Sequence, residues 1–385
     1  MLIKRTIQDK IEKYLYSDSG KQVIVIYGAR QVGKTTLVKE IIKTYRGRAE
    51  YFNCDYFDVQ QTFSYKNAGN LPPEFKNTNL LILDEAQRIK NIGIVLKILT
   101  DENKNLKIIA TGSSSFELSN EINEPLTGRK KVYTLFPLSF EEYTRNLNFI
   151  EQKRMLNKIL RFGLYPSVIT NNEENGTENL KEITSSYLFK DIFTFQELKK
   201  PELFLNLLKL LAFQIGNEVS YTELAGKLRT DQSIVQKYIR LLEDSFIIFR
   251  LPGLKRNLRN EVGKSRKIYF WDLGIRNMLI QNLNTLDFRN DIGALWENFC
   301  ISERLKKLHY YYRTLFNTYF WRTYEQKEID YTEERNGIFY AYEIKYNPNK
   351  KAKFPELFKQ TYPNSQFRVI NTDNFKSFIT GTADF

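Results

Sequence analysis

One nine-residue stretch restricts this chain more than any other: Gly28-Ala29-Arg30-Gln31-Val32-Gly33-Lys34-Thr35-Thr36. It has the spacing of a phosphate-binding loop, G-x-x-x-x-G-K-T. Both flanks agree with it. Val23-Ile24-Val25-Ile26-Tyr27 is a β-branched run that predicts a buried parallel strand, and Leu37-Val38-Lys39-Glu40-Ile41-Ile42 predicts a helix. The order strand, loop, helix follows from the chemistry. Glycines let backbone N–H groups wrap a phosphate chain, and the helix N-terminus adds its dipole. All nine residues are expected to bind ATP, with Lys34 reaching the β- and γ-phosphates and the Thr35 hydroxyl on Mg²⁺.

A chain of 385 residues with 42% hydrophobic content has room for two or three domains. Cys54 and Cys300 are the only cysteines and His309 the only histidine, which excludes a disulfide framework, a Cys/His zinc site and a Ser-His-Asp triad. A reducing cytoplasm is the expected location. No run is long or apolar enough to span a membrane and the N-terminus lacks an apolar signal core, so no membrane partner is expected. The net charge of +13 favours an anionic partner. Nucleic acid is expected, DNA ahead of RNA, through counterion release; a solubilising lysine-rich surface would give the same balance.

The first third alternates strands (Val23–Tyr27, Ala49–Asn53, Leu80–Leu83, Leu106–Ala110, Val132–Leu135) with helical segments. This predicts an α/β fold, a mostly parallel sheet with helices on both faces. Helices dominate from Ser139 to Leu242, broken by a turn at Gly163-Leu164-Tyr165-Pro166 and a polar loop at Asn171–Gly176. Ser220–Leu228, Ser233–Glu243 and the apolar strand Ser245–Leu251 describe a winged helix-turn-helix. Val235, Tyr238, Ile239 and Leu242 give its last helix a core stripe, and Lys237 and Arg240 lie beside that stripe. The expected division is an ATPase domain at 1–137, a helical lid at 138–200, the winged helix at 201–256 and a terminal α/β domain at 257–385. The densest basic run, Lys255–Lys267, reads as a linker or wing.

Leu80-Leu81-Ile82-Leu83-Asp84-Glu85 is a buried strand with two carboxylates at its C-terminal end, where such strands meet a ligand crevice. Asp84 is expected to organise Mg²⁺ with Thr35, and Glu85 to polarise the attacking water. The next strand ends Thr111-Gly112-Ser113. Ser113 is the expected sensor of the terminal phosphate and Thr111 the alternative; a helix N-cap is the bland reading. In Leu126-Thr127-Gly128-Arg129, Arg129 is either a finger for a neighbouring subunit's site or a surface arginine beside Lys130 and Lys131.

On Gly28–Thr36, Leu83–Gln87, Thr111–Ser115, Leu126–Arg129, Phe136–Phe140, Gly163–Pro166 and Tyr269–Gly274, the chain resembles prokaryotic AAA-type ATPases that couple a P-loop domain to a winged helix and a C-terminal PD-(D/E)xK-like domain. The resemblance implies an ATPase fold with a helical lid and assembly of a homo-oligomer through the nucleotide site. It implies no particular substrate.

A second constellation lies near the C-terminus. Asn336-Gly337 is a two-residue hairpin turn, which sets Arg335 opposite Ile338 and hence Asp330 opposite Glu343. Their Cβ atoms would then lie ~5 Å apart on one face, with Lys345 pointing the same way and Tyr331 opposing Tyr342 behind. Like charges so placed need an offset. Asp, then Glu-x-Lys, on paired strands is the nuclease arrangement, so Asp330, Glu343 and Glu297 of the preceding helix are expected to hold Mg²⁺, with Lys345 orienting water. The alternative is that surrounding lysines neutralise the carboxylates. Two functions follow: an ATP-driven machine acting on nucleic acid, or a nucleotide-controlled switch whose terminal domain is a catalytically silent binding module. A helicase is excluded, because there is one phosphate loop and no second α/β half to close on it.

Overall fold

The computed structural model describes residues 2–17, 22–64, 75, 77–113, 126–187, 200–254, 266–312, 316–323, 325 and 327–381. Ser114 and Ser115, and most of the basic run from Lys255 through Lys264, lie outside them. The chain forms two units, Met1–Pro137 with Asp244–Phe246, and Leu138–Glu243 with Ile247–Phe385.

The first unit runs α1 (Thr6–Leu15), β1 (Val23–Tyr27), α2 (Lys34–Thr44), β2 (Ala49–Asn53), α3 (Phe57–Thr62), β3 (Leu80–Asp84), α4 (Ile92–Glu102), β4 (Lys107–Gly112) and β5 (Lys130–Thr134). The strands form one parallel sheet in the order β2-β3-β4-β1-β5. Every residue of β1 and β3 is buried, as central strands covered on both faces must be, while the edge strands β2 and β5 are mostly half-buried. The five expected strands are all present, displaced by at most two residues. β4 lies between β1 and β3, so the end of β4 falls between the phosphate loop and the Asp84 strand.

In the second unit come α5 (Phe140–Thr144), α6 (Phe149–Phe162), α7 (Pro166–Ile169) and α8 (Glu173–Glu182). The polar loop expected at Asn171–Gly176 is instead the start of α8. Asn172 caps it by accepting a hydrogen bond from the Asn175 N–H, so the polar residues there begin a helix. Next follow α9 (Pro201–Phe213), α10 (Tyr221–Leu228) and α11 (Gln232–Asp244), then β6 (Ile248–Pro252) paired antiparallel with β7 (Arg266–Phe270). The expected core stripe of α11 is buried. A boundary at 256/257 falls inside the β6–β7 connection, so the pairing keeps together two strands that the sequence reading divides.

The remainder is α12 (Leu273–Leu279), α13 (Ile292–Tyr311), β8 (Asn317–Arg322), β9 (Glu328–Arg335), β10 (Ile338–Ile344), α14 (Glu356–Thr361), β11 (Gln366–Ile370) and α15 (Phe375–Ile379). The sheet order is β11-β10-β9-β8, with only β10 and β11 parallel. Two of the stretches behind the family resemblance meet here. The Asp272 carboxylate caps α12 and also accepts from the Leu164 N–H at 2.6 Å. Gly163 has a left-handed backbone (φ 74°), and a Cβ there would sit 2.1 Å from that carboxylate. No described helix is long and apolar enough to cross a membrane.

Candidate functional site

The phosphate loop leaves β1 at Tyr27 and enters α2 through Gly33 (φ 98°), which has no side chain to cap the first-turn N–H groups. They are left directed at the loop, as an anion site requires. Gly28 is obligatory for a steric reason: a Cβ there would lie 2.2 Å from the Leu135 carbonyl oxygen. Ala29 and Val32 are buried, and Val32 anchors the loop in the core. The loop is also tied down from outside the motif. Buried Arg5, one residue before α1, donates to the carbonyls of Val32 and Phe136, each at 2.6 Å. Arg30 and Gln31 form the outer part of the turn, with Gln31 at φ 59°, and Thr36 lies in the first turn of α2.

Buried Lys34 folds back into the loop and donates to the carbonyls of Gly28 (2.9 Å) and Ala29 (3.1 Å). Its ammonium is 3.9 Å from Glu85. The Thr35 hydroxyl donates to Asp84 at 2.6 Å, so the two residues expected to share Mg²⁺ meet directly. Tyr51 donates to the same Asp84 oxygen at 2.8 Å, and Thr111 donates to the other. Asp84 is thus held by three neutral hydroxyls and keeps its charge uncompensated by them. Burial, then the bond to Asp84, pushes the Tyr51 phenol up. Burial, then the Asp84 charge, raises the Cys54 thiol to about 12.

Glu85 takes a left-handed backbone (φ 56°), its N–H donating to Thr111 at 3.0 Å. Its carboxylate accepts from the Gln87 amide at 2.6 Å, and the same amide nitrogen donates to Ser113 at 3.2 Å. Thr111 therefore contacts the acidic pair directly, and Ser113 does so through Gln87. Arg129 is placed elsewhere. It precedes β5, whose first residue pairs with Val23 at the start of β1, so ~16 Å of strand separates it from its own loop. It forms an ion pair with Asp101.

In the second unit the hairpin register is as the Asn-Gly turn dictates: Ile338 pairs with Arg335 and Tyr342 with Tyr331. Asp330 accepts from the Ile344 N–H at 2.7 Å. Lys345 reaches both acids, Glu343 at 2.6 Å and Asp330 at 3.7 Å. Burial, then Asp330, raises the Glu343 carboxyl. Glu297, on α13, is bound instead by the Tyr269 hydroxyl at 2.6 Å and the Lys267 ammonium at 3.2 Å. Lys267 is 2% exposed and also pairs with Glu328. Burial drives the Glu297 carboxyl to about 7, although Lys267 pulls the other way. The three acids expected to hold a metal lie within electrostatic reach of one another, Asp330 raising both Glu297 and Glu343. Among the described residues no three Asp, Glu, His or Cys side chains cluster to hold a metal, and each of these acids is paired with a lysine. Lys267, on a strand distant in sequence, is the residue that the hairpin count could not supply.

Residues 20–144 match the family model described as an AAA domain. Residues 153–286 and 292–382 match two families described as domains of unknown function, DUF8612 and DUF4143. The chain is similar to the uncharacterized protein MJ1544 of Methanocaldococcus jannaschii, 26% identical over 390 residues, covering 94% of this chain and 85% of the relative. It is likewise similar to the uncharacterized protein Rv2008c of Mycobacterium tuberculosis, 26% identical over 326 residues, covering 84% and 70%. Among solved structures, the Walker-type ATPase PABY2304 of Pyrococcus abyssi superposes with a TM-score of 0.50 at 15% identity, covering 72% of this chain and 96% of that one. The fold, with its five-stranded parallel sheet, is that of a P-loop ATPase.

Proposed function

We propose that the first unit binds ATP and hydrolyses it with Mg²⁺. The observation that carries this reading is the direct Thr35–Asp84 contact beside a loop already occupied by Lys34. Thr35 and Asp84 would hold the ion, which supplies charge neutralisation between phosphate oxygens; one or two protein ligands suit Mg²⁺ when phosphates provide others. Lys34, released from the two loop carbonyls, neutralises phosphate charge. Glu85 accepts the proton of the attacking water. Steady-state hydrolysis by the full chain tests this. Glu85→Gln is expected to retain nucleotide binding and lose turnover by ~10²–10⁴; equal turnover in the two proteins sinks the assignment.

We infer that Arg129, ~16 Å of strand away from its own loop, serves the site of a second copy of the chain; the alternative is a surface arginine paired with Asp101. Specific activity then rises with protein concentration, and Arg129→Ala abolishes the rise without changing ATP affinity. Flat specific activity with an inert Arg129→Ala removes this part of the proposal.

For the second unit we favour the switch reading, in which the terminal domain binds a partner without cleaving it. Lysine pairing at all three acids supports it. Nucleic acid, DNA ahead of RNA, is the partner that the +13 charge suits. Binding should weaken steeply with salt, and binding insensitive to salt argues against phosphate contacts.

A further inference from the structure

Gln87 makes contacts that its sequence position does not explain. It lies in a short 3₁₀ turn, Ala86–Arg88, fixed by the fully buried Ala86 and by the Arg88 N–H donating to the Glu85 carbonyl at 3.0 Å. A carboxylate only accepts, so the side-chain group facing Glu85 must be the amide nitrogen. Both of its hydrogens are engaged, one on Glu85 at 2.6 Å and one on the Ser113 hydroxyl oxygen at 3.2 Å. The cost of this orientation falls on the other end. The amide oxygen is buried and has no donor among the described residues. A glutamine serving packing alone would have its oxygen satisfied, since an orphaned buried acceptor is destabilising.

Two residues of the same chain segment thus hold Glu85 in two ways. Thr111 receives its backbone N–H, and Ser113, two residues on, receives the amide that grips its carboxylate. Ser113 accepts from Gln87, which leaves its own hydroxyl hydrogen available for another acceptor. One carboxylate oxygen of Glu85 is bonded to Gln87, and the other is the one 3.9 Å from Lys34.

We propose that Gln87 is a positioning residue that couples Ser113 to Glu85: Ser113, as sensor of the terminal phosphate, acts through this amide, which aligns the carboxylate oxygen facing Lys34 for the attacking water. The proposal rests on the hydrolytic reading above and gives Ser113 an indirect role in it. No bond is made or broken at Gln87.

The test uses the full chain with Mg·ATP. Gln87→Met keeps the length and removes both N–H donors together with the orphaned oxygen. Its kcat is expected to fall ~10–100-fold with KM and nucleotide affinity unchanged, since misplacing a catalytic group by about 1 Å costs up to ~10²-fold. Its melting temperature is expected to stay level or rise, whereas a merely structural glutamine would lose stability and keep its kcat. Ser113→Ala should lower kcat in the same direction. The double variant should be no slower than Gln87→Met, because the two act through one link. Full turnover in Gln87→Met while Glu85→Gln is inactive overturns the coupling and leaves the hydrolytic reading standing. If Glu85→Gln itself turns over normally, the reading beneath it fails instead. Should Gln87→Met not fold, the amide is structural and the proposal is wrong; independent, multiplicative losses from Ser113→Ala and a milder Gln87→Leu would also overturn it.

Discussion

The two units each bring carboxylates together on strands, and they restrain those carboxylates with opposite chemistry. Asp84 is held by Thr35, Tyr51 and Thr111, three neutral hydroxyls, and Glu85 has an ammonium only at 3.9 Å. Glu343, Asp330 and Glu297 are held by Lys345 and Lys267. Hydroxyls fix an anion and leave its charge for an incoming cation, whereas a lysine cancels the charge while fixing it. The same residue type in superficially similar places therefore predicts a metal-dependent site in the first unit and one partly offset by its own lysines in the second.

That contrast can be broken most forcefully at Lys267. Removing its charge strands Glu297, while Glu328 keeps Arg322 at 3.5 Å, and a buried ion pair stripped of one partner costs about 3–5 kcal/mol. Lys267→Met should lose that much in urea unfolding of the full chain, and a neutral substitution would mean the lysine is not the compensating cation. His309 tests the same unit through pH. It sits in the second unit against Trp271 and Phe316, and although its side chain keeps an exposed edge, desolvation by those rings lowers its pKa from 6.5 to about 4. The folded state then binds fewer protons than the unfolded one between those values. Stability is fully present above pH 6.5 and is lost as pH falls through 4, by no more than about 1 kcal/mol because the imidazole is partly open to solvent. His309→Phe should flatten this limb of a pH–stability curve, and an unchanged curve would place the loss elsewhere.

Ligand stabilisation sharpens the contrast directly. At a hundredfold excess over its dissociation constant, Mg·ATP should raise the stability of its unit by about 2.7 kcal/mol, and Lys34→Ala should remove the rise. Millimolar Mn²⁺ alone should shift wild type and Asp330→Asn equally, since no ion is expected between Asp330 and Glu343; a shift that Asp330→Asn abolishes would restore the metal site. The smallest effect belongs to Arg129→Ala. Its pair with Asp101 is about half-exposed, so folding stability should change by no more than about 1 kcal/mol whatever happens to turnover.

What could be read from the sequence was whatever is written locally. The phosphate loop, the apolar strand ending in Asp84-Glu85 and the Asn336-Gly337 turn each carry their geometry within a few residues, and the parallel sheet and hairpin register followed. What could not be read is long-range. Arg5 reaches Val32 and Phe136 across 27 and 131 positions, and Lys267 meets Glu297 thirty residues away. The hairpin register was correct from Arg335 to Tyr331, yet it could not say which cation would answer the acids beyond it. Asn171–Gly176 failed for a different reason: residues that favour turns also favour helix starts.

The buried thiols have a practical consequence for spectroscopy. Cys54 and Cys300 are both fully buried, and burial raises both thiols, so neither presents the thiolate that maleimide or spin-label reagents attack. The native chain is already a silent background for labelling. A single cysteine introduced at an open position such as Phe149 would carry a fluorophore or nitroxide alone, and nucleotide-driven motion could be followed without first rebuilding two core positions.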